Sequence, residues 1–185
     1  MNNSKTSPYA LLIIDMINDF NFSHGDLLFE HTLPIIDPIL QLKKEMNKRG
    51  MPVIYINDHY QLWQADYSKI ISACTNSKTA AMIGRISPGE SDYFLIKPKH
   101  SAFYGTALNT LLHHLGVKKL ILTGIAGNIC VLFSANDAYM REYKLWIPSN
   151  CIASASMQDN QFALTMMQNV LKAKIDKSGS FPPIF

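Results

Sequence analysis

Three side chains in this 185-residue chain have types and settings suited to nucleophilic chemistry. Asp15 closes the apolar run Tyr9-Ala10-Leu11-Leu12-Ile13-Ile14. A carboxylate at the mouth of a buried strand can act as a general base. Lys97 closes a second apolar run, Tyr93-Phe94-Leu95-Ile96, and its ammonium could support a thiolate or an oxyanion. Cys130 lies on the turn Gly124-Ile125-Ala126-Gly127-Asn128-Ile129-Cys130, which leads into a helical pattern. A cysteine at a helix N-terminus feels the positive end of the macrodipole, so a lowered thiol pKa is expected there. The same turn offers backbone N–H groups for an oxyanion. Each residue also has an ordinary structural reading: a turn aspartate, a solvated lysine, a small buried cysteine. Together they supply a nucleophile, a proton acceptor and a cation, which is what cysteine catalysis needs. Cys74 and Cys151 have no such setting and read as buried structural residues.

The elements that must position these residues follow from the apolar pattern. Tyr9–Ile14, Pro52–Ile56, Tyr93–Ile96, Lys119–Thr123 and Lys144–Ile147 read as short buried strands. Lys174–Asp176 is a candidate sixth strand. Helices are expected at 34–49, in two pieces between Trp63 and Ile86, at 108–115, at about 130–141 and at 160–172. Asn18 to Thr32 reads as a loop, with His24-Gly25-Asp26 as a turn. Strands alternating with helices imply parallel crossovers and an open α/β sheet covered on both faces. Ligands bind such sheets outside the carboxyl ends of the strands, where Asp15, Asn57-Asp58-His59, Lys97 and the Gly124–Cys130 turn are expected to gather.

Composition narrows the class. Hydrophobic residues are 48% of the chain, which suits a folded globular domain and excludes disorder throughout. With no linker or repeat visible, residues 1–185 read as a single domain. The net charge of +3 is too mild to imply a nucleic-acid partner. Charged residues are only 17%, below the usual level of about 25%, which hints at a subunit interface. No apolar stretch approaches the roughly 20 residues that span a bilayer, and Met1–Ser7 lacks the apolar core of a signal peptide. Three cysteines without CxxC spacing suit a reducing cytoplasm. The six histidines form no HExxH motif, and Asp58-His59 alone does not make a metal site, so no metal or other cofactor is expected. Phosphate-cradle motifs are absent as well.

At these residues the chain resembles the isochorismatase-like family of cysteine hydrolases, over about Tyr9 to Leu171. Three segments carry the resemblance. Leu12-Ile13-Ile14-Asp15-Met16-Ile17-Asn18-Asp19-Phe20 is similar to the family's opening strand and its Asp-Met-Gln-Asn-Asp-Phe sequence. The stretch Lys97 to Thr106, with Ser101-Ala102-Phe103 inside it, is similar to its lysine segment. Thr123 to Val131, followed by Ala135-Asn136-Asp137-Ala138, is similar to its nucleophile turn and helix. The resemblance implies a Rossmann-like three-layer α/β/α sandwich around a mostly parallel sheet of five or six strands. It also implies an Asp15–Lys97–Cys130 triad, an oxyanion hole from the N–H groups of Ala126 and Cys130, and a non-proline cis peptide at Ile125–Ala126. Lys99 is a rival for the lysine role, but Lys97 stands four residues before Ser101, as in the family.

In that family's mechanism Cys130 attacks an amide carbonyl, Asp15 carries the thiol proton to the leaving amine, and water then releases the acid from the thioester with Asp15 as base. Members commonly form dimers or larger assemblies. Nicotinamidases of the family hold a metal through an Asp-x-His pair. Here Asp58 and His59 are adjacent and Ala65 stands six residues on, which argues against both the metal and nicotinamide. Isochorismatases work without the cysteine, so Cys130 argues against vinyl-ether cleavage. Phe20, Asn57, His59, Trp63, Phe103 and Ile125 are expected to line the pocket for a small-molecule substrate. The leading expectation is a metal-independent amidase acting on a small carboxamide or ureido compound. Two other classes compete: a binding or regulatory protein that keeps the fold without turnover, and a redox protein pairing Cys130 with Cys151 or Cys74.

Overall fold

A computed structural model describes residues 8–179, so the expectation for Met1–Ser7 lies outside the described residues. The sheet is built from β1 (Tyr9–Ile14), β2 (Val53–Asp58), β3 (Tyr93–Lys97), β4 (Lys119–Ile125), β5 (Lys144–Trp146) and β6 (Ile152–Ala153). The helices are α1 (Gly25–Thr32), α2 (Ile36–Lys48), α3 (Tyr67–Cys74), α4 (Ala80–Ile86), α5 (Leu108–His114), α6 (Leu132–Met140) and α7 (Met157–Asn169). Every strand pairing is parallel, in the order β3-β2-β1-β4-β5. The two short strands share one edge of β4. β5 pairs with its first half, Lys119 to Ile121, and β6 with its end, Gly124 and Ile125.

Layering follows from the side-chain alternation of β1. Leu11 and Ile13 enter an apolar cluster with Ile36, Ile39, Leu42 and Met46 of α2. Ala10, Leu12 and Ile14 enter a second cluster with Leu108, Leu112, Ala135 and Leu164 on the opposite face. Burial on both faces is why β1 reads as an unbroken apolar run rather than an alternating one. The α/β/α sandwich is as expected.

Several boundaries differ from the sequence reading, and α7 runs Met157–Asn169 where a helix at 160–172 is expected. The segment expected as a loop up to Thr32 contains α1, a two-turn helix whose N-cap, His24, makes no side-chain cap bond and so leaves no start signal. Lys174 makes one isolated bridge to Trp146, and the sixth strand is Ile152–Ala153, too short to show a period. The helix expected from Cys130 is preceded by a wider turn, Gly127–Val131, and α6 starts at Leu132. Among the described residues, no helix is long and apolar enough to cross a membrane.

Candidate active site

The strand order creates the site. The chain runs outward from β1 through β2 to β3, then returns to place β4 on the other side of β1. Beyond the carboxyl ends of β1 and β4 the connections diverge, and a crevice opens there. Asp15 follows β1 directly, with φ at 52°. Its Oδ1 accepts from the Asp58 N–H at the end of β2, 2.9 Å away. Lys97 ends β3 in register with Asp58, and its long side chain reaches past β2 to Asp15. Lys97 Nζ lies 2.8 Å from Asp15 Oδ2 and 3.6 Å from Cys130 Sγ, and donates to the Lys99 carbonyl at 3.2 Å. Lys97 is 2% exposed. Lys99 is exposed and offers only its backbone, so Lys97 is the lysine that meets the other two groups.

The turn carrying Cys130 is held from three sides. Gly124 takes φ 111°, and a Cβ there would fall 2.0 Å from the Ile14 carbonyl oxygen, so only glycine lets β4 end against β1. The Ile125–Ala126 peptide is cis. Gly127 packs on Asn160 and Ser154, where a Cβ would lie 2.2 Å from Asn160 Oδ1. The Asn128 N–H donates to Ser154 Oγ, which donates to Asn160 Oδ1. On the far side Ser134 Oγ donates to the Cys130 carbonyl at 2.6 Å and accepts from the Ala102 N–H at 2.8 Å. Ser134 thereby ties the Lys97 segment to the Cys130 turn.

Burial sets the charges. It pushes the Asp15 carboxyl up, and the Lys97 ammonium opposes that push without cancelling it. Burial alone would lower Lys97, but Asp15 and then Cys130 more than offset it and hold the ammonium up. The Cys130 thiol is pushed up to about 12 by burial and by Asp15, against the pull of Lys97. This corrects the expected depression of the thiol: a helix terminus is a smaller effect than desolvation beside a carboxylate. With Lys97 paired to Asp15 at 2.8 Å, the resting thiol keeps its proton on sulfur.

A cleft of about 650 Å³ opens over this cluster. Asp15, Ile125, Ala126 and Cys130 line it together with Phe22, Leu27, Leu28, His100, Ile129 and Ala155, among others. Of the expected pocket residues, only Ile125 lies there. Phe20 is 2% exposed and turns into the core, edge-on to Phe29. Asn57 clamps the loop after β1, accepting from the Ile17 N–H and donating to the Ile17 carbonyl. His59 stacks on Trp63 at 4.0 Å, outside the cleft. Phe103 is buried against Tyr143, under the Arg141 guanidinium. The lining comes instead from α1 and the residues just before it, from the turn before α7, and from His100, which lies inside the Lys97–Thr106 segment. Cys74 and Cys151 are fully buried, as expected. No group of three metal-ligating side chains occurs among the described residues.

Known proteins match this architecture. Residues 9–176 match the model of the Isochorismatase domain. The chain belongs to the isochorismatase family. Within that family it is 60% identical to the protein YaaI of Bacillus subtilis (strain 168) over 166 residues, or 90% of this chain and 92% of the relative. Among solved structures it is similar to N-carbamoylsarcosine amidase from Thermoplasma acidophilum. The TM-score is 0.76 at 26% identity, over 96% of this chain and 100% of that one. It is also similar to pyrazinamidase/nicotinamidase from Streptococcus mutans UA159, with a TM-score of 0.71 at 28% identity, over 90% and 99% of the two chains. This isochorismatase-family chain is a hydrolase with amidases as structural relatives.

Proposed function

We propose that the chain is a single-domain, metal-independent cysteine amidase that cleaves the C–N bond of a small carboxamide or ureido compound. The observation that carries this reading is the meeting of Asp15, Lys97 and Cys130 at one end of the cleft, with Lys97 Nζ 2.8 Å from the carboxylate and 3.6 Å from the sulfur. Asp15 takes the thiol proton as Cys130 Sγ attacks the carbonyl. Burial makes this carboxylate a stronger base than an exposed one, and Lys97 supports the thiolate as it forms. The N–H groups of Ala126 and Cys130 hold the oxyanion. Asp15 then passes its proton to the leaving amine, the C–N bond breaks, and an acyl thioester remains on Cys130. Water releases the acid. The apolar side chains of Phe22, Leu27, Leu28 and Ile129 favour an acyl portion with little charge.

A panel of small carboxamides and ureido compounds, assayed for release of ammonia or amine, tests this reading. Release from at least one compound is expected. Because the base must be ionised, the rate should fall as the pH drops, with a midpoint above the usual carboxyl value of about 3.9. Binding of a panel compound without release, while Cys130 still alkylates, would favour a non-catalytic binding protein instead.

We also infer a cytoplasmic enzyme that self-associates, as a dimer or tetramer, without a nucleic-acid or membrane partner. Three unpaired cysteines suit a reducing compartment. Phe133 and Met140 on α6, Met157, Phe162 and Met166 on α7, and Val170 just after it are all more than half exposed. Apolar side chains gathered on adjacent helices mark an association surface. Light scattering in solution should give at least twice the chain mass of 20.8 kDa, and a mass equal to one chain would contradict self-association.

A further inference from the structure

Two carboxylates line the cleft, and they stand in different electrical settings. Asp15 is paired with Lys97 at 2.8 Å, so those two charges offset each other. Asp159 lies on the opposite layer's helix, in the first turn of α7. The cap of that helix is made by its backbone, with the Asp159 N–H donating to Ser156 Oγ at 3.1 Å. The Asp159 carboxylate itself has no hydrogen-bond or ion-pair partner among the described residues. The next side chain, Asn160, is by contrast committed to the nucleophile turn, accepting from Ser154 Oγ at 2.8 Å. Asp159 is exposed, so its charge is open to whatever enters the cleft.

The rest of the lining gives that charge its reach. Phe22, Leu27, Leu28, Ile129 and Ala155 make an apolar wall. A charge beside low-dielectric walls is screened less than one in open water. No lysine or arginine is among the described residues that line the cleft. His24 and His100 are the other lining side chains that can take up a charge. A ligand carboxylate entering here meets a like charge and no guanidinium or ammonium to pair with. Like-charge juxtaposition of this kind discriminates between ligands of the same shape.

We propose that Asp159 is a specificity residue through which the cleft rejects amides that carry a carboxylate and takes neutral or cationic ones, an inference that rests on the amidase reading above. Among ureido compounds this leaves those without an acid group. Among carboxamides it favours those that bear an amine or another hydrogen-bond donor, which the Asp159 carboxylate accepts from. Asp159 takes no part in making or breaking bonds. Cys130, Asp15 and Lys97 keep their roles, and Asp159 acts on which substrate reaches them.

Two thiol reagents of similar size and opposite charge test the cleft directly: 2-aminoethyl and 2-sulfonatoethyl methanethiosulfonate. Their rates at Cys130 are read by mass spectrometry of its peptide, at about pH 8.5, well above the ordinary imidazole range. Because each ratio of rates is taken at one thiol, the reactivity of that thiol cancels. The cationic reagent should be favoured over the anionic one more strongly than it is with free 2-mercaptoethanol. Asp159→Asn should shrink that preference by about fivefold or more. Glu90→Gln removes an exposed carboxylate ahead of β3, at the other edge of the sheet, and should leave the preference unchanged. In the amide panel, 4-carbamoylbenzoate should be cleaved more slowly than 4-(hydroxymethyl)benzamide, and Asp159→Asn should narrow the gap in kcat/KM. An unchanged preference in Asp159→Asn, or an equal change in Glu90→Gln, would overturn the role of Asp159 while leaving the amidase reading intact. A preference that depends on Asp159 beside amide release by Cys130→Ala at the wild-type rate would overturn the amidase reading, and the substrate class with it.

Discussion

Replacing Cys130 with alanine is expected to lower amide turnover by at least about 10⁴-fold while leaving the fold unchanged. Loss of the nucleophile from a comparable catalytic triad costs about 10⁶-fold, because the remaining groups act only through it. The structural cost should be small. Cys130 is half-buried, and the thiol's polar neighbours are Asp15, Lys97 Nζ at 3.6 Å and His100 Nδ1 at 4.0 Å. The anchors of the turn are backbone groups held by Ser134 and Ser154, which the substitution leaves in place. Thermal unfolding measured beside ammonia release separates the two effects. Lost activity with an unchanged midpoint is the expected result, and retained activity would remove the nucleophile from the account.

Asp15→Asn is expected to be nearly as damaging, by about 10²–10⁴-fold, and for a reason that can be isolated. The Asp15 charge raises the thiol pKa, and Lys97 lowers it. Removing the carboxylate should therefore make Cys130 titrate at lower pH, followed by iodoacetamide alkylation and mass spectrometry. Lys97→Met should move the titration the other way. The asparagine variant would hold more thiolate at a given pH and still fail on amides, because nothing carries the proton to the leaving amine. A merely structural aspartate would not produce that divergence. Each substitution also strands one buried charge, which costs about 3–5 kcal/mol, so urea unfolding should register both. Turnover by Asp15→Asn at the wild-type rate would exclude Asp15 as the proton carrier.

The fold was readable because burial on both faces leaves its mark in composition. Leu11 to Ile14 and Leu120 to Leu122 are continuous apolar runs, and their polar endings locate the carboxyl edge. Asp15 and the Gly124–Cys130 turn follow from that edge, and Lys97 from the same rule applied to β3. The cleft wall was not readable. Phe20 ends the Asp15 motif, yet its backbone takes φ 53° and its ring enters the core. His59 and Trp63 follow β2, but Asn57 is committed to Ile17, and the two rings stack on each other outside the cleft. Phe22 and Leu27 reach the site through α1, a helix with no start signal, and Ala155 through the turn after the two-residue β6. The thiol's raised pKa depends on burial and on the Asp15 charge, both consequences of packing that a local turn motif does not encode.

The central claim is a covalent thioester on Cys130. Acid quenching during turnover of an amide substrate, followed by mass spectrometry of the Cys130 peptide, tests it most directly. The account predicts a mass increase equal to the acyl group on Cys130 alone, absent in Cys130→Ala. Steady turnover with Cys130 unmodified would contradict it.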